Sequence, residues 1–348
     1  MKNNKFIYIT ILIVAILFSQ IVLAQEDGEN TKIAQTGFQF LTVGTDARAA
    51  ALGEAFTTVE GSSNSLFYNP AGMASLKSFA DLSLNRMEWI GDINYLSGTV
   101  GFGIEDGKYG IVGLSFSHID YGEFLFTRVA GNEKGYVDIK EFSKPFSFSV
   151  GLGYAKELSN KFSVGGQIKY VKQNLGDSYL PSEILDSLGN KTGKYTIGDK
   201  QNYQLGVLAF DFGTLYKTGY KSLTFGMSVR NFAGEVKYEK EGFQLPLVFK
   251  IGISMDLIDF YEELKEHHKF MLRIDAAHPR SHPEFISVGG EYIFMDMVAL
   301  RAGYITGQDL YDFTAGFGIK QFGFELNYAY TPYLEFNDIH RISLGFAL

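Results

Sequence analysis

The sequence predicts an all-β fold: a transmembrane outer-membrane β-barrel of about 14 antiparallel strands, with an N-terminal hatch or plug in the lumen. Three observations predict it. Large apolar residues alternate with small or polar ones at period two through most of the chain. Long connections follow odd strands and tight ones follow even strands, as in a barrel with both ends in the periplasm. An export-type start and an alternating apolar end flank the strands. Composition agrees, since 39 Gly, 31 Phe and 21 Tyr make up about a quarter of the 348 residues, a mix suited to strands with aromatic rims. The chain has no cysteine, which excludes a disulfide scaffold, a thiolate nucleophile, a thiolate zinc site and a lipid-anchored lipoprotein.

Residues 1–24 read as a secretory signal. Lys2 and Lys5 precede an apolar run from Phe6 to Phe18, and Val22-Leu23-Ala24 offers a cleavage site before polar Gln25-Glu26-Asp27. An uncleaved anchor is the alternative, because apolar character continues to Ala24. Loss of Lys2 and Lys5 takes the formal charge from −8 to −10, and with no basic stripe no nucleic-acid partner is expected. No later run reaches the roughly 18–20 apolar residues of a membrane helix.

Between residues 25 and 77 the alternation fails. Asp46-Ala47-Arg48-Ala49-Ala50-Ala51-Leu52-Gly53 is compact and Ala-rich. A barrel of this size has a lumen too wide for its own wall side chains to fill, so this segment is expected to plug it. The barrel itself then occupies 78–348. Strands are predicted near 79–89, 93–104, 109–118, 145–156, 162–173, 201–212, 221–231, 247–256, 269–277, 285–294, 297–305, 311–319, 322–331 and 340–348, from rows such as Phe146, Phe148, Val150, Leu152 and Tyr154 alternating with Ser147, Ser149, Gly151 and Gly153. Charged residues on the second face suggest a wet lumen.

The connections obey the parity rule. Ile119 to Lys144, Gln173 to Lys200 and Asn231 to Leu245 are long and follow odd strands, while Glu105-Asp106-Gly107-Lys108, Leu158-Ser159-Asn160, Met295-Asp296 and Lys320-Gln321 are short and follow even ones. Asp256 to Lys269 is the exception, and Leu257, Ile258, Phe260, Tyr261 and Leu264 predict a short amphipathic periplasmic helix there. The final Ile342, Leu344, Phe346 and Leu348 suit closure against the first strand. A β-sandwich or exported β-helix would leave the outward aromatic rows without a use. Trp89, Tyr95, Tyr154, Tyr170, Tyr304, Tyr328 and Tyr330 are expected in lipid-interface belts.

Within the plug, Asp46 and Arg48 are close enough to pair, a structural link rather than a solute site. Asn69-Pro70-Ala71-Gly72 predicts a turn, with Pro70 fixing φ and Gly72 permitting other backbone angles; its use in a moving hatch is the functional alternative. Tyr121, Phe124, Phe126, Tyr136 and Phe142 gather in the first long loop, either packing it over the barrel mouth or presenting an apolar face to cargo or ligand. His278/His282 and His267/His268 lack a ligand pattern, so no metal and no cofactor are expected. No elbow, phosphate loop or His-Glu-x-x-His occurs, and no enzyme is expected.

Three elements carry a resemblance: Gly44-Thr45-Asp46-Ala47-Arg48-Ala49-Ala50-Ala51-Leu52-Gly53-Glu54-Ala55, Leu66-Phe67-Tyr68-Asn69-Pro70-Ala71-Gly72-Met73, and Gly91-Asp92-Ile93-Asn94-Tyr95-Leu96-Ser97-Gly98. They resemble the PorV/PorQ family of outer-membrane proteins, relatives of the FadL fatty-acid transporters. The resemblance implies a fourteen-stranded barrel with an N-terminal hatch, seated in the outer membrane of a Gram-negative bacterium of the Bacteroidetes or their relatives. It implies binding of exported cargo through a C-terminal sorting domain in type IX secretion, with a translocon as further partner. The FadL side of the resemblance implies instead passage of a hydrophobic small molecule such as a fatty acid. In both cases outer-membrane lipid surrounds the wall.

Overall fold

The computed structural model describes residues 36–103, 105, 107–129, 136–307 and 311–348. The expected signal at 1–24, the following residues to 35, and Asp106 of the expected turn lie outside them. In chain order the strands are β1 (Ala80–Glu88), β2 (Asn94–Gly103), β3 (Ile111–Asp120), β4 (Phe124–Val129), β5 (Tyr136–Ser143), β6 (Phe146–Ser159), β7 (Phe162–Leu185), β8 (Lys191–Lys217) and β9 (Thr224–Phe232), then β10 (Val236–Lys237), β11 (Gly242–Phe243), β12 (Val248–Asp256), β13 (His268–Pro279), β14 (Phe285–Phe294), β15 (Val298–Ile305), β16 (Phe313–Gln321), β17 (Phe324–Thr331) and β18 (Ile339–Ala347).

Fourteen of these close into one antiparallel barrel, with β4–β5 and β10–β11 forming small hairpins outside it. Closure is made by β1, which pairs with β2 on one side and with β18 on the other, from Asp81 opposite Ala347 to Met87 opposite Arg341. The C-terminal apolar alternation thus meets a strand, and the barrel has no free edge. Each expected strand has its counterpart, and the connections from β3 to β6 and from β9 to β12 are long as expected.

Three expectations are corrected. The stretch 173–200, read as a loop, is strand: β7 runs on to Leu185 and β8 starts at Lys191. Its Gly and Asp content signalled a loop, but cross-strand pairing overrides it, with register shifts that accommodate Pro181. Asp186 makes the turn, its Oδ1 accepting from the amides of Leu188 and Asn190 at 2.8 Å each. The expected periplasmic helix is only a 3₁₀ turn, Leu257–Phe260, capped by Asp256. Trp89 and Tyr95 do not face lipid. Tyr95 is buried, and Trp89 stands edge-on to Tyr333 with ring centroids 5.5 Å apart inside the extracellular mouth.

The wall is two-faced. Leu82, Leu84, Leu96, Leu114, Val150 and Leu152 are exposed outward, while Ser83, Asn85, Ser97, Ser115 and Ser149 are buried inward, as lipid outside and packed polar groups inside require. Residues 37–76 pack against part of this inner face. Thr36 bridges Gln244 in the extracellular connection before β12. Phe38 and Phe40 pack there with Met87, Ile119, Val171, Leu245, Tyr333 and Ile339 as an apolar lid. Helix α1 (Ala47–Ala51) lies deeper against β15 to β18. Two 3₁₀ turns, Ser63–Phe67 and Pro70–Ser75, then lead to β1.

The lumenal glycines let this segment touch the wall. A Cβ on Gly303 of β15 would collide with the backbone of Leu52 and Gly53, and Gly53 itself has φ +62°. Gly303→Val is therefore expected to destabilise the barrel by about 1–3 kcal/mol through overpacking. A lowered midpoint in the heat-modifiable gel shift would show it; an unchanged midpoint would mean that the segment yields at this contact.

Candidate functional site

The described polar chemistry concentrates where the N-terminal segment meets the wall. Asp46 caps α1, its Oδ1 accepting from the Ala49 amide at 2.8 Å. This short Ala-rich turn lets Arg48 reach outward to Glu291 of β14, Nε to Oε1 at 2.8 Å and Nη2 to Oε2 at 2.9 Å, a bidentate pair. The expected Asp46–Arg48 ion pair is corrected accordingly: Arg48 is held by Glu291. The other Asp46 oxygen accepts from the Asn64 amide. Burial pushes the Asp46 carboxyl up to about 6, while the Ala49 amide and the nearby Arg48 charge act in the opposite direction.

Strand register brings two more arginines to the same carboxylate. Arg301 of β15 stands directly opposite Glu291 and donates from Nε at 2.7 Å. Arg273 of β13 is diagonal to it, opposite Gly289, with Nη1 2.9 Å from Oε2. Three guanidiniums therefore share one fully buried carboxylate. Arg301 also donates to Asn327 at 2.7 Å.

Further tethers surround the segment. Asp275 of β13 accepts from the amides of Phe56 and Thr57 at 3.0 Å each and from the Thr57 hydroxyl at 2.6 Å. Arg341 of β18 donates to the Gly44 carbonyl at 3.0 Å and to Thr331 at 2.8 Å. Asn69 caps the Pro70 turn by accepting from Ala71 at 3.2 Å, and donates to the carbonyls of Thr57 and Thr214 at 2.7 and 3.1 Å. Pro70 and Gly72 are buried in that turn, and Gly72 donates its amide to Asn69 at 2.9 Å. Sequence reasoning named the segment's half of this network and missed the wall's half, Glu291, Arg273, Arg301, Asp275 and Arg341. Their signal was present as charges at inner-face parity within strands.

A lumenal cavity beside Tyr68 and Lys169 measures about 50 Å³, against the roughly 300–1,000 Å³ of small-molecule sites. It is lined by polar as well as apolar groups, among them Lys169, Asp211, Arg230 and Asn231.

Of the first-loop aromatics, Tyr121 and Phe124 have described side chains. Tyr121 is half-buried beside the lid, its hydroxyl 3.1 Å from Ser147. Phe124 begins β4 and is 53% exposed. Phe126, Tyr136 and Phe142 belong to β4 and β5, but their side chains lie outside the described ones. Among the described residues, the longest strand pair is β7–β8. Strand β7 pairs with β6 only as far as Asn174, and β8 with β9 only from Phe210 onward. Above those points the two strands pair with each other alone, a ribbon roughly 35 Å long at about 3.3 Å per residue.

Residues 62–348 match the model of the type IX secretion system membrane protein PorP/SprF family. The narrower PorV/PorQ assignment implied by the motifs is not supported by that match, whereas the type IX association is. The fold is similar to solved FadL-like barrels. The toluene transporter TbuX of Ralstonia pickettii superposes with a TM-score of 0.59 at 11% identity, covering 88% of this chain and 98% of its own. The toluene transporter TodX of Pseudomonas putida gives 0.55 at 14% identity, covering 85% and 95%. A FadL homologue of Pseudomonas aeruginosa gives 0.53 at 11% identity, covering 87% and 98%. No curated protein gives a match.

Proposed function

The chain belongs to the PorP/SprF family of type IX secretion membrane proteins, and on that premise we propose that it acts as a plugged outer-membrane receptor, holding the C-terminal sorting domain of exported cargo during secretion or surface attachment. Residues 36–77 serve as the plug, and the barrel works without catalysis or cofactor. The observation that carries this reading is the contrast between the two ends of the pore. Beneath the apolar lid the lumen is packed, with a cavity of about 50 Å³, while the β7–β8 ribbon offers strand edges with no barrel neighbour outside it. Such edges bind extended or sheet-forming partners by adding strands.

The alternative, passage of a hydrophobic molecule through the lumen, draws support from the fold shared with the two toluene transporters. It would require the Arg48–Glu291 and Thr57–Asp275 tethers to break, and the cavity beneath the lid, about 50 Å³, is too small for such a molecule. The discriminating experiment immobilises the purified barrel in detergent. Retention of a recombinant sorting domain, with no stoichiometric uptake of radiolabelled palmitate, is the expected result. Palmitate retained at one per barrel, together with unchanged surface cargo after gene deletion, would overturn the receptor reading.

A further inference from the structure

A second space opens at the opposite end of the molecule, among the tight turns. It has a volume of about 520 Å³, and its floor is the underside of the ion network, with Arg48, Arg273 and Glu291 at its inner end and Lys161, Lys217 and Lys221 from two periplasmic turns at its rim. The protein as a whole is acidic, with formal charge −8. This space is the reverse, with five cations facing it against the carboxylates Glu60 and Glu291.

The donors there outnumber the acceptors. Glu60 is taken by Lys217 at 2.6 Å, and Glu291 is shared by Arg48, Arg301 and Arg273. Lys221 donates to the Asp259 carbonyl at 2.9 Å and has Glu262 4.0 Å away. Lys161 donates to the Thr218 carbonyl at 3.4 Å from its exposed turn. That leaves Arg273. Arg273 is 4% exposed and ion-paired with Glu291 through Nη1 at 2.9 Å, but its Nε makes no hydrogen bond among the described residues. Thr58, also facing the cavity, has a buried hydroxyl with no partner. Ser254 stands directly opposite Arg273 in the register and lines the same wall. A buried guanidinium with unused donors costs free energy unless an acceptor arrives.

We propose that this periplasm-facing cavity is an oxyanion site, taking a phosphate or carboxylate group, with Arg273 as its inner anchor, the Thr58 and Ser254 hydroxyls beside it, and Lys161 at the entrance. Its size exceeds that of a bare ion, so the group enters on a larger molecule or with its water. The site is independent of the extracellular ribbon, so its failure and the failure of the cargo reading are separable.

The test is calorimetry on the detergent-purified full barrel at constant ionic strength, titrating inorganic phosphate and, separately, a tetraglutamate peptide. At least one is expected to bind at one per barrel. Arg273→Gln is expected to weaken it by about tenfold or more, as loss of a buried charge-assisted bond does. Lys161→Gln, at an exposed turn and so harmless to folding, is expected to weaken it by about threefold. Binding of phosphate alone assigns a free or phosphoryl anion; binding of the peptide alone assigns an acidic segment of a periplasmic protein. Heat evolved by neither probe, or an affinity that Lys161→Gln and Arg273→Gln leave unchanged, would overturn the site.

Discussion

Replacing Glu291 by alanine is expected to destabilise the barrel by about 3–5 kcal/mol and to loosen residues 36–76 from the wall. Removing one member of a buried ion cluster leaves its partners charged in a medium that cannot solvate them. Here the loss is concentrated, because Arg48, Arg273 and Arg301 all converge on this carboxylate and it is fully buried. Arg48→Met should cost less, since Glu291 keeps Arg301 at 2.7 Å and an apolar side chain of similar length fills the space. Glu291→Gln should fall between, keeping shape and one acceptor oxygen while losing the charge. The ordering of the three variants matters more than any single value. Heat-modifiable gel shifts measure it, and protease added from the periplasmic side reports whether the segment has come free. If Glu291→Ala matched the wild-type midpoint, the network would hold nothing that the apolar lid around Phe38 and Phe40 does not already hold.

The contrast between Arg48 and Glu291 shows what a sequence can and cannot disclose in such a fold. Alternation in β6, β16 and β17 was visible residue by residue, because a wall between lipid and a packed interior imposes a period of two on every strand. The fourteen strands and their parity followed from that constraint. Arg48 was recognisable as a structural cation because a guanidinium in a lumen seeks a carboxylate or carbonyl. Its partner was not, since the contact joins positions 243 residues apart and depends on the register that sets Glu291 opposite Arg301. Inner-face charges at Arg273, Asp275 and Arg341 look alike whether they face water or a plug. The outcome turns on whether residues 37–76 enter the lumen, and there they meet backbone amides and carbonyls in place of water. The ribbon failed to be read for the opposite reason. Beyond Asn174 no membrane imposes the alternation, and turn-forming residues outweighed pairing that only the partner strand reveals.

That freedom from the membrane makes the ribbon removable. Replacing residues 179–200 by Asn-Gly would leave Ser178 facing Gln201, as they do now, across a two-residue turn of the type that suits a right-twisted hairpin. The truncated barrel is expected to fold with an unchanged heat-modifiable midpoint, because the deleted part of β7 and β8 pairs with no other barrel strand. Capture of a sorting domain is expected to fall by more than about tenfold. Each main-chain hydrogen bond of an added strand contributes on the order of 1 kcal/mol, so losing even two rungs exceeds the roughly 1.4 kcal/mol that corresponds to a factor of ten. The measurement is surface-immobilised binding of one sorting domain to the wild-type and truncated barrels, with Phe124→Ser as a second variant, since that exposed ring begins the neighbouring β4–β5 hairpin. Loss of binding on truncation with little change in Phe124→Ser places the contact on the ribbon edges. The reverse pattern moves it to the β4–β5 hairpin, where the aromatic residues of the first long loop lie. A truncated barrel that holds the domain as tightly as the wild type removes strand addition to the ribbon from the mechanism.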